Sequence, residues 1–309
     1  MMVYRLSAPW VAVQEQLDGA LQDARYVECG ASQEKSVGWV EPRGQAHGPM
    51  VEVVGGHWVL KFMMELKTVP GSVVKRKVQD QAQQIEATTG RKPGKKEMRA
   101  LADDARLALL PMAFTKQSSV WVWIDPQAGL LVLDAGSQAK ADEILTALVK
   151  AIDGFAVQLV NTEQSPAASM AHWLGTHEAP QHFSVDRECE LKAADESKAV
   201  VRYTRHALDT EEVAQHIALG KMPTRLALTW NDRVSFVLTE ALQLKKISFQ
   251  DVVFEAAATA AGDGKDDNFD ADVAIATGEL SQLIPDLLEA LGGEVALGEN
   301  PAPSPVTAS

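Results

Sequence analysis

The sequence predicts an α+β fold of mixed sheets and helices that carries a projecting basic helical hairpin. Three observations lead there. Short strand patterns alternate with amphipathic helices toward both ends of the chain. Between residues 72 and 109, apolar residues recur at helical spacing on either side of a breaker run. Charge is also unevenly placed. Twelve of the 29 Lys and Arg fall in residues 61–116 with six acids, so this window carries +6 while the whole chain carries −13.

Taken in order, residues 3–6 read as a strand, 10–22 as an amphipathic helix, and 38–40 and 57–66 as strands. Val74, Val78, Ala82 and Ile85 then lie one helical turn apart, residues 88–94 (TTGRKPG) break the pattern, and Met98, Leu101, Ala105 and Leu109 resume it. That is a helical hairpin with Arg91, Lys92, Lys95 and Lys96 at its tip. Lys95, Arg99 and Arg106, four and seven residues apart, share one side of its second helix. Residues 114–124 read as a strand, 125–129 (DPQAG) as a turn, 130–133 as a second strand and 137–152 as a helix. A connection at 161–168 leads to a second α+β unit with strands around 200–204, 225–230, 234–238 and 244–249. Residues 256–268 are small, Gly-bearing and acidic, and read as a mobile loop. The expected division is an N-terminal α+β region at 1–165 with the basic hairpin inserted at 70–113, a C-terminal α+β region at 166–295, and a disordered tail at 296–309.

With 309 residues, 46% of them hydrophobic, the chain can bury one or two cores without covalent staples. Its two cysteines, Cys29 and Cys189, form no C-x-x-C pair, which suits a reducing cytoplasm, and both read as small core residues. No apolar run approaches the roughly 18 to 20 residues that span a bilayer, and no basic flank precedes a long apolar stretch at the N-terminus. The expectation is a cytoplasmic protein with no membrane partner.

A local patch of charge acts on a polyanion over a Debye length of about 8 Å, so it outweighs acids placed farther away. Lys75, Arg76, Lys77, Arg91, Lys92, Lys95, Lys96, Arg99 and Lys116 are therefore candidates for contact with DNA phosphates; a solvated helical face is the alternative reading of the same pattern. A second basic stretch, residues 221–246, sets Lys221, Arg225, Arg233, Lys245 and Lys246 against Asp232 and Glu240, and Lys221, Arg225 and Arg233 join the candidates for DNA contact. Lys221 and Arg225 have the parity of one strand face, with a turn before Arg233. Trp121 and Trp123 read as packing residues inside an apolar strand.

Enzymatic chemistry finds little support. His172, His177 and His182 are spaced by five, which fits no zinc helix, and read as surface residues. Asp263, Asp266, Asp267, Asp270 and Asp272 lack the order of a calcium loop and lie partly in the predicted loop, too loose a frame for two-metal nuclease chemistry. There is no phosphate-binding P-loop, no dinucleotide fingerprint and no nucleophile elbow. The chain reads as a non-enzyme without metal or cofactor.

Several segments carry a family likeness: MVYRL at 2–6, GWVEP at 38–42, LLPMAF at 109–114, WIDPQAGLLVLDAGSQAKAD at 123–142 and FDADVAIATGELSQLIPDLLEALGGE at 269–294. In order and over nearly the whole chain, they resemble the RdgC family of recombination-associated proteins. The resemblance implies a ring-shaped, nucleoid-associated homodimer whose basic central hole takes duplex DNA without sequence preference, and which restrains RecA-mediated strand exchange. Single-stranded DNA is a further candidate partner. Phe114 matches the aromatic of the family's L-L-P-x-A-F motif, a finger toward DNA or the partner subunit. Its shared parity with Val120, Val122 and Ile124 fits a core residue equally well. Pro70 matches a proline ahead of the basic helix. Arg205, upstream of the second basic stretch, joins the candidates for DNA contact because it is retained from a lysine-richer family segment, from which Thr204 and His206 depart. The resemblance also implies a short apolar lead before residue 2 that this sequence lacks. The alternative reading is an interaction protein that binds RecA or another partner directly through the hairpin, with DNA incidental.

Overall fold

A computed structural model describes residues 1–7, 10, 11, 13–258 and 265–295, without the side chains of 256–258 and 265–267. The first half contains β1 (Met2–Leu6), α1 (Gln14–Asp23), β2 (Lys35–Val40), β3 (Glu52–Val54), β4 (His57–Thr68), α2 (Gly71–Thr89), α3 (Lys95–Leu109), β5 (Phe114–Asp125), β6 (Leu130–Leu133), α4 (Gln138–Ala151) and β7 (Val157–Leu159). The second contains α5 (Pro166–Thr176), β8 (Phe183–Ala193), β9 (Val200–Thr204), α6 (Glu211–Ala218), β10 (Lys221–Trp230), β11 (Val234–Thr239), β12 (Leu244–Phe249), α7 (Asp251–Ala258) and α8 (Lys265–Ala290).

The fold is α+β, with two sheets. The first runs β2-β4-β5-β6-β1-β7 with β3 also on β4, and the second runs β12-β11-β10-β8-β9. Every strand pair is antiparallel, so the expected mixed sheets are corrected. The connections explain it: tight turns join β5 to β6 and β10 to β11, and no helix carries the chain over to a parallel neighbour.

Other boundaries shift for local reasons. The first helix begins at Gln14 rather than at residue 10, because Trp10 stays outside it and sets its ring edge-on to Phe155 at 5.0 Å. Residues 256–258 continue α7 and 265–268 open α8, where a loop was expected; an alanine run has high helix propensity. Residues 259–264 and the tail at 296–309 lie outside the described residues. Cys189 is buried as expected, whereas Cys29 is half-buried in the segment before β2 and is not a core residue.

Two apolar clusters hold these layers. One lies beneath the first sheet, where Leu17 and Leu21 of α1 and Ile144 and Leu148 of α4 meet Trp39, Phe62, Val122 and Leu133. The other joins the opposite face of that sheet, through Val3, Trp123, Leu130 and Val132, to α5, α6, α8 and the second sheet. The middle of the first sheet is thus covered on both faces, which is why β6 reads as an uninterrupted apolar run, LLVL, with all four residues buried.

α8 touches both halves. Arg43, which follows β2, bonds Asp270 and Glu52 and lies 4.4 Å over the Phe269 ring. Trp230 Nε1 donates to Asp286 at 2.7 Å, and Arg5 makes a forked contact with Glu294 just past the helix.

Candidate nucleic-acid interface

β4 and β5 pair through eleven residues, from Trp58 with Ile124 to Thr68 with Phe114, while β6 accompanies β5 only from Val122 onward. The β4–β5 ribbon, roughly 37 Å long at about 3.4 Å per residue, therefore runs out beyond the core. α2 and α3 are inserted at its far end and pack on each other. Their eight periodic apolar residues are all buried or half-buried, Val78 and Ala105 most deeply.

The turn between the helices is fixed by local chemistry. Gly90 closes α2 with φ +71°, a left-handed conformation that glycine adopts without penalty, and its N–H bonds the Glu86 carbonyl. The Glu97 carboxylate accepts from Gly94 N–H at 2.7 Å at the start of α3 and takes both guanidinium nitrogens of Arg91, at 2.9 and 2.7 Å. These bonds hold the Glu97 carboxyl down to about 2, with Arg91 the larger cause.

Lys75 and Arg76 on α2 and Lys95, Lys96 and Arg99 on α3 are exposed; Lys77 is half-buried. Among the described residues, none of these six forms an ion pair, and neither does the exposed Lys116 on β5. Arg91 is held by Glu97, Lys92 lies 3.8 Å from Glu86, and Arg106 lies 3.9 Å from Glu34. The free cations fall into two groups, Lys75 to Lys77 at the base of α2 and Lys95 to Arg99 near the tip. α2 runs on for twelve residues past Lys77, about 18 Å, before the turn that leads to the second group.

Phe114 is 91% exposed, beside Met112 at 72%, so its core reading is overturned. The ribbon outruns the core that covers Val120 and Val122, and parity alone cannot show where that cover ends. Leu66 is opposite Lys116 on the same face of the ribbon and is 47% exposed, extending the apolar spot. Pro70 is exposed and stands at the N-cap of α2. Trp123 is buried as a packing residue; Trp121 is 38% exposed, with the Lys61 ammonium 4.7 Å over its ring and Phe269 beyond.

The second basic stretch is dispersed. A bulge at Thr224 lets Pro223 face Leu191 and Arg225 face Glu190, so Lys221 and Arg225 point to opposite faces of the sheet despite their even spacing. Lys221 is half-buried with its ammonium 3.1 Å from His216 Nδ1, Arg225 is exposed, and Arg205 is exposed at φ +56° just after β9. Arg233 is gripped by Glu279.

His172, His177 and His182 are all exposed. Asp270 is taken by Arg43, Asp263 lies outside the described residues, and no group of three His, Cys, Asp or Glu among the described residues could hold a metal ion. Among those residues, no helix is long and apolar enough to cross a membrane.

A network on the ribbon's other face went unread in the sequence. Glu65, 3% exposed, accepts from the Tyr26 hydroxyl and, at 3.1 Å, from Cys29 N–H, while Gln117 Nε2 reaches Tyr26 Oη at 3.1 Å. A charged residue inside a strand is the one sequence signal it leaves.

Comparison with known proteins places these features in a family. Residues 1–294 match a family profile described as "Putative exonuclease, RdgC". The chain is 44% identical over 298 residues to the recombination-associated protein RdgC of Dechloromonas aromatica, covering 96% of this chain and 97% of that one. It is also 44% identical over 296 residues to that of Herminiimonas arsenicoxydans (96% and 98%), and 42% over 294 residues to that of Bordetella pertussis (95% and 97%).

Proposed function

The chain belongs to the RdgC family, and from that premise we propose that it is a non-enzymatic, sequence-independent DNA-binding protein with a role in recombination. In this reading it encircles duplex DNA as a homodimeric ring in the nucleoid and restrains RecA. The observation that carries it is the set of cations on α2 and α3 without acid partners, in a chain whose net charge is −13. Cations already paired to acids have little left to offer a phosphate. These six and Lys116 have no acid partner among the described residues, and a basic hairpin that juts from an acidic body presents them to a polyanion while the remaining acids oppose adsorption elsewhere. Contacts to phosphates fix position without reading bases.

Non-specific contacts alone give affinities of about 10⁻⁴ to 10⁻⁶ M at physiological salt, so lasting residence on DNA calls for closure. The proposed organisation keeps 1–165 and 166–295 as two regions of each subunit. The test is retention on circular against linear duplex of one sequence after a high-salt wash, with subunit mass followed by light scattering. A dimer that survives on the circle alone supports the ring; equal loss from both removes it.

A second reading is favoured by one observation, the exposed Phe114 beside Met112, which suits a protein contact. Here the protein binds RecA or another partner directly and DNA is incidental. A pull-down of RecA that survives nuclease treatment supports that reading. The family description mentions an exonuclease. Against such chemistry in this chain stands the engagement of Asp270 by Arg43, and magnesium-dependent nicking lost on Asp270→Ala is the result that revives it.

A further inference from the structure

The segment between α1 and β2 is bonded both to β2 and to the outer part of the β4–β5 ribbon. Tyr26 N–H donates to the Trp39 carbonyl at 2.9 Å, and the backbone of Tyr26 lies so close to Gly38 that a Cβ there would sit 2.5 Å from it. The Tyr26 hydroxyl donates to Glu65 and receives Gln117. Lys67 Nζ donates to the Gly30 carbonyl at 2.7 Å, Lys67 N–H to the Glu34 carbonyl at 2.8 Å, and Ser36 Oγ to the Val27 carbonyl at 2.5 Å. Glu65 and Gln117 stand directly opposite each other on β4 and β5, three rows from the end where α2 and α3 are inserted.

We infer that this Tyr26–Glu65–Gln117 cross-brace sets the direction in which α2 and α3 leave the body, making Tyr26 and Glu65 positioning residues for DNA contact. The inference rests on the proposed DNA-binding role of those helices.

The physical reason is the shape of the ribbon. Beyond β6, β5 has no strand on its free side, and a two-stranded ribbon is strongly twisted and marginal by itself. β2 supports β4 as far as Leu66, but among the described residues no strand pairs with the free side of β5 over residues 114–120. The brace ties both strands to one loop one row before the support from β2 ends, on a stretch of β5 that has no strand on its free side among the described residues. Glu65 can do this because its carboxylate is nearly buried yet satisfied by the Tyr26 hydroxyl and the Cys29 N–H. Those bonds hold its carboxyl below the ordinary carboxylate range, with the Tyr26 bond first, while burial and Glu65 push the Tyr26 hydroxyl up to about 12. Both groups therefore keep one protonation state, carboxylate acceptor and hydroxyl donor, around neutral pH. An angular error at this row is carried outward along both helices, so a small loosening displaces the distal cations Lys95, Lys96 and Arg99 most.

Tyr26→Phe removes the bond and Glu65→Gln replaces its charged acceptor with a neutral amide oxygen, both keeping the shape; Gln117→Ala, at an exposed residue, is the milder variant that folds if either of those fails. In a Cys29→Ser background, where the buried Cys189 thiol is raised to about 12 and stays silent, spin labels at Gln83→Cys on α2 and Lys150→Cys on α4 report the direction of the helices. The expected result is a broadened distance distribution, a melting temperature lowered by no more than a few degrees, and duplex affinity about two- to ten-fold weaker, the effect of roughly one lost hydrogen bond, with the salt dependence kept. A distribution as narrow as the parent's overturns the inference. So does a broadened one with unchanged affinity if reversing Lys95, Lys96 and Arg99 still weakens binding. If that reversal also leaves affinity unchanged, it is the DNA-binding reading that falls, with the distance distribution still deciding whether the brace orients the helices.

Discussion

Arg233, in the turn between β10 and β11, holds Glu279 of α8 by two hydrogen bonds, Nε to Oε2 at 2.8 Å and Nη2 to Oε1 at 2.5 Å. The guanidinium is partly shielded and Glu279 is buried, so the pair ties the second sheet to the helix that also meets the first. Arg233 carries the charge expected of a phosphate contact, but its donors are already committed. Arg233→Ala leaves a buried carboxylate without its partner and is expected to lower stability by roughly 1–3 kcal/mol. Urea unfolding measures that loss, and DNA titrations over a range of salt should show an unchanged slope. A shallower slope with unaltered stability would return Arg233 to the phosphate-binding set.

Lys95, Lys96 and Arg99 have no acid to satisfy them, and reversing all three to Glu should weaken duplex binding equally on unrelated sequences. At about 0.9 in log affinity per log salt for each phosphate, losing three contacts flattens the salt slope by about 2.7. Gel shifts at several salt concentrations measure it, beside light scattering to confirm that the variant's mass is unchanged. Unaltered binding would exclude this surface.

The contrast between these cations and Arg233 marks how far the sequence could be read. Periodicity showed the eight apolar residues of α2 and α3 because a helix pair in isolation has one apolar seam, and every position on it is covered. The strands β9 and β12 were equally plain, since Val200, Val201 and Tyr203 favour a strand in the one and Ile247, Ser248 and Phe249 alternate in the other. β8 escaped because Asp186, Arg187, Glu188 and Glu190 interrupt it; Glu190 and Glu188 are paired with Arg202 and Lys246 on other strands, and Asp186 accepts from the Thr229 hydroxyl. The bulge at Thr224 has one faint sequence mark, the neighbouring Pro223, yet it reverses which face Arg225 shares. Arg233 and Glu279 lie 46 residues apart, and only the packing of α8 against the sheet brings them together. Spacing within an element is local and legible; cover and partnership are tertiary.

Phe114 tests that limit directly. A buried phenylalanine truncated to alanine costs about 3–5 kcal/mol, whereas an exposed one falls within about 0.5 kcal/mol of the parent. At 91% exposure, Phe114→Ala should leave the melting temperature nearly unchanged while reducing self-association or DNA retention. Calorimetry and light scattering on one preparation separate the two. A loss of stability on the scale of an emptied core would show that Phe114 is covered in solution.

The clasp at the tip of α2 and α3 should persist well into the acid range. Glu97 titrates from an ordinary value of 4.5 down to about 2 in the folded chain, because Arg91 and Gly94 N–H hold its charged form. A carboxylate whose folded value is depressed contributes stability that is complete above its unfolded value and disappears as pH falls through its folded value. The window is therefore about pH 4.5 down to 2, and raising the pH above neutrality should leave this contribution unchanged. Glu97 is exposed, so the effect is local to the α2–α3 turn and screened by salt. Carbon chemical shifts of the Glu97 carboxyl, followed through an acid titration, should give a midpoint near the lower limit of the window. Arg91→Ala should move that midpoint back toward 4.5, and high salt should do the same in part. An ordinary midpoint in the parent protein would show that the Arg91–Glu97 clasp is not formed in solution, and the tip cations would then have no fixed direction.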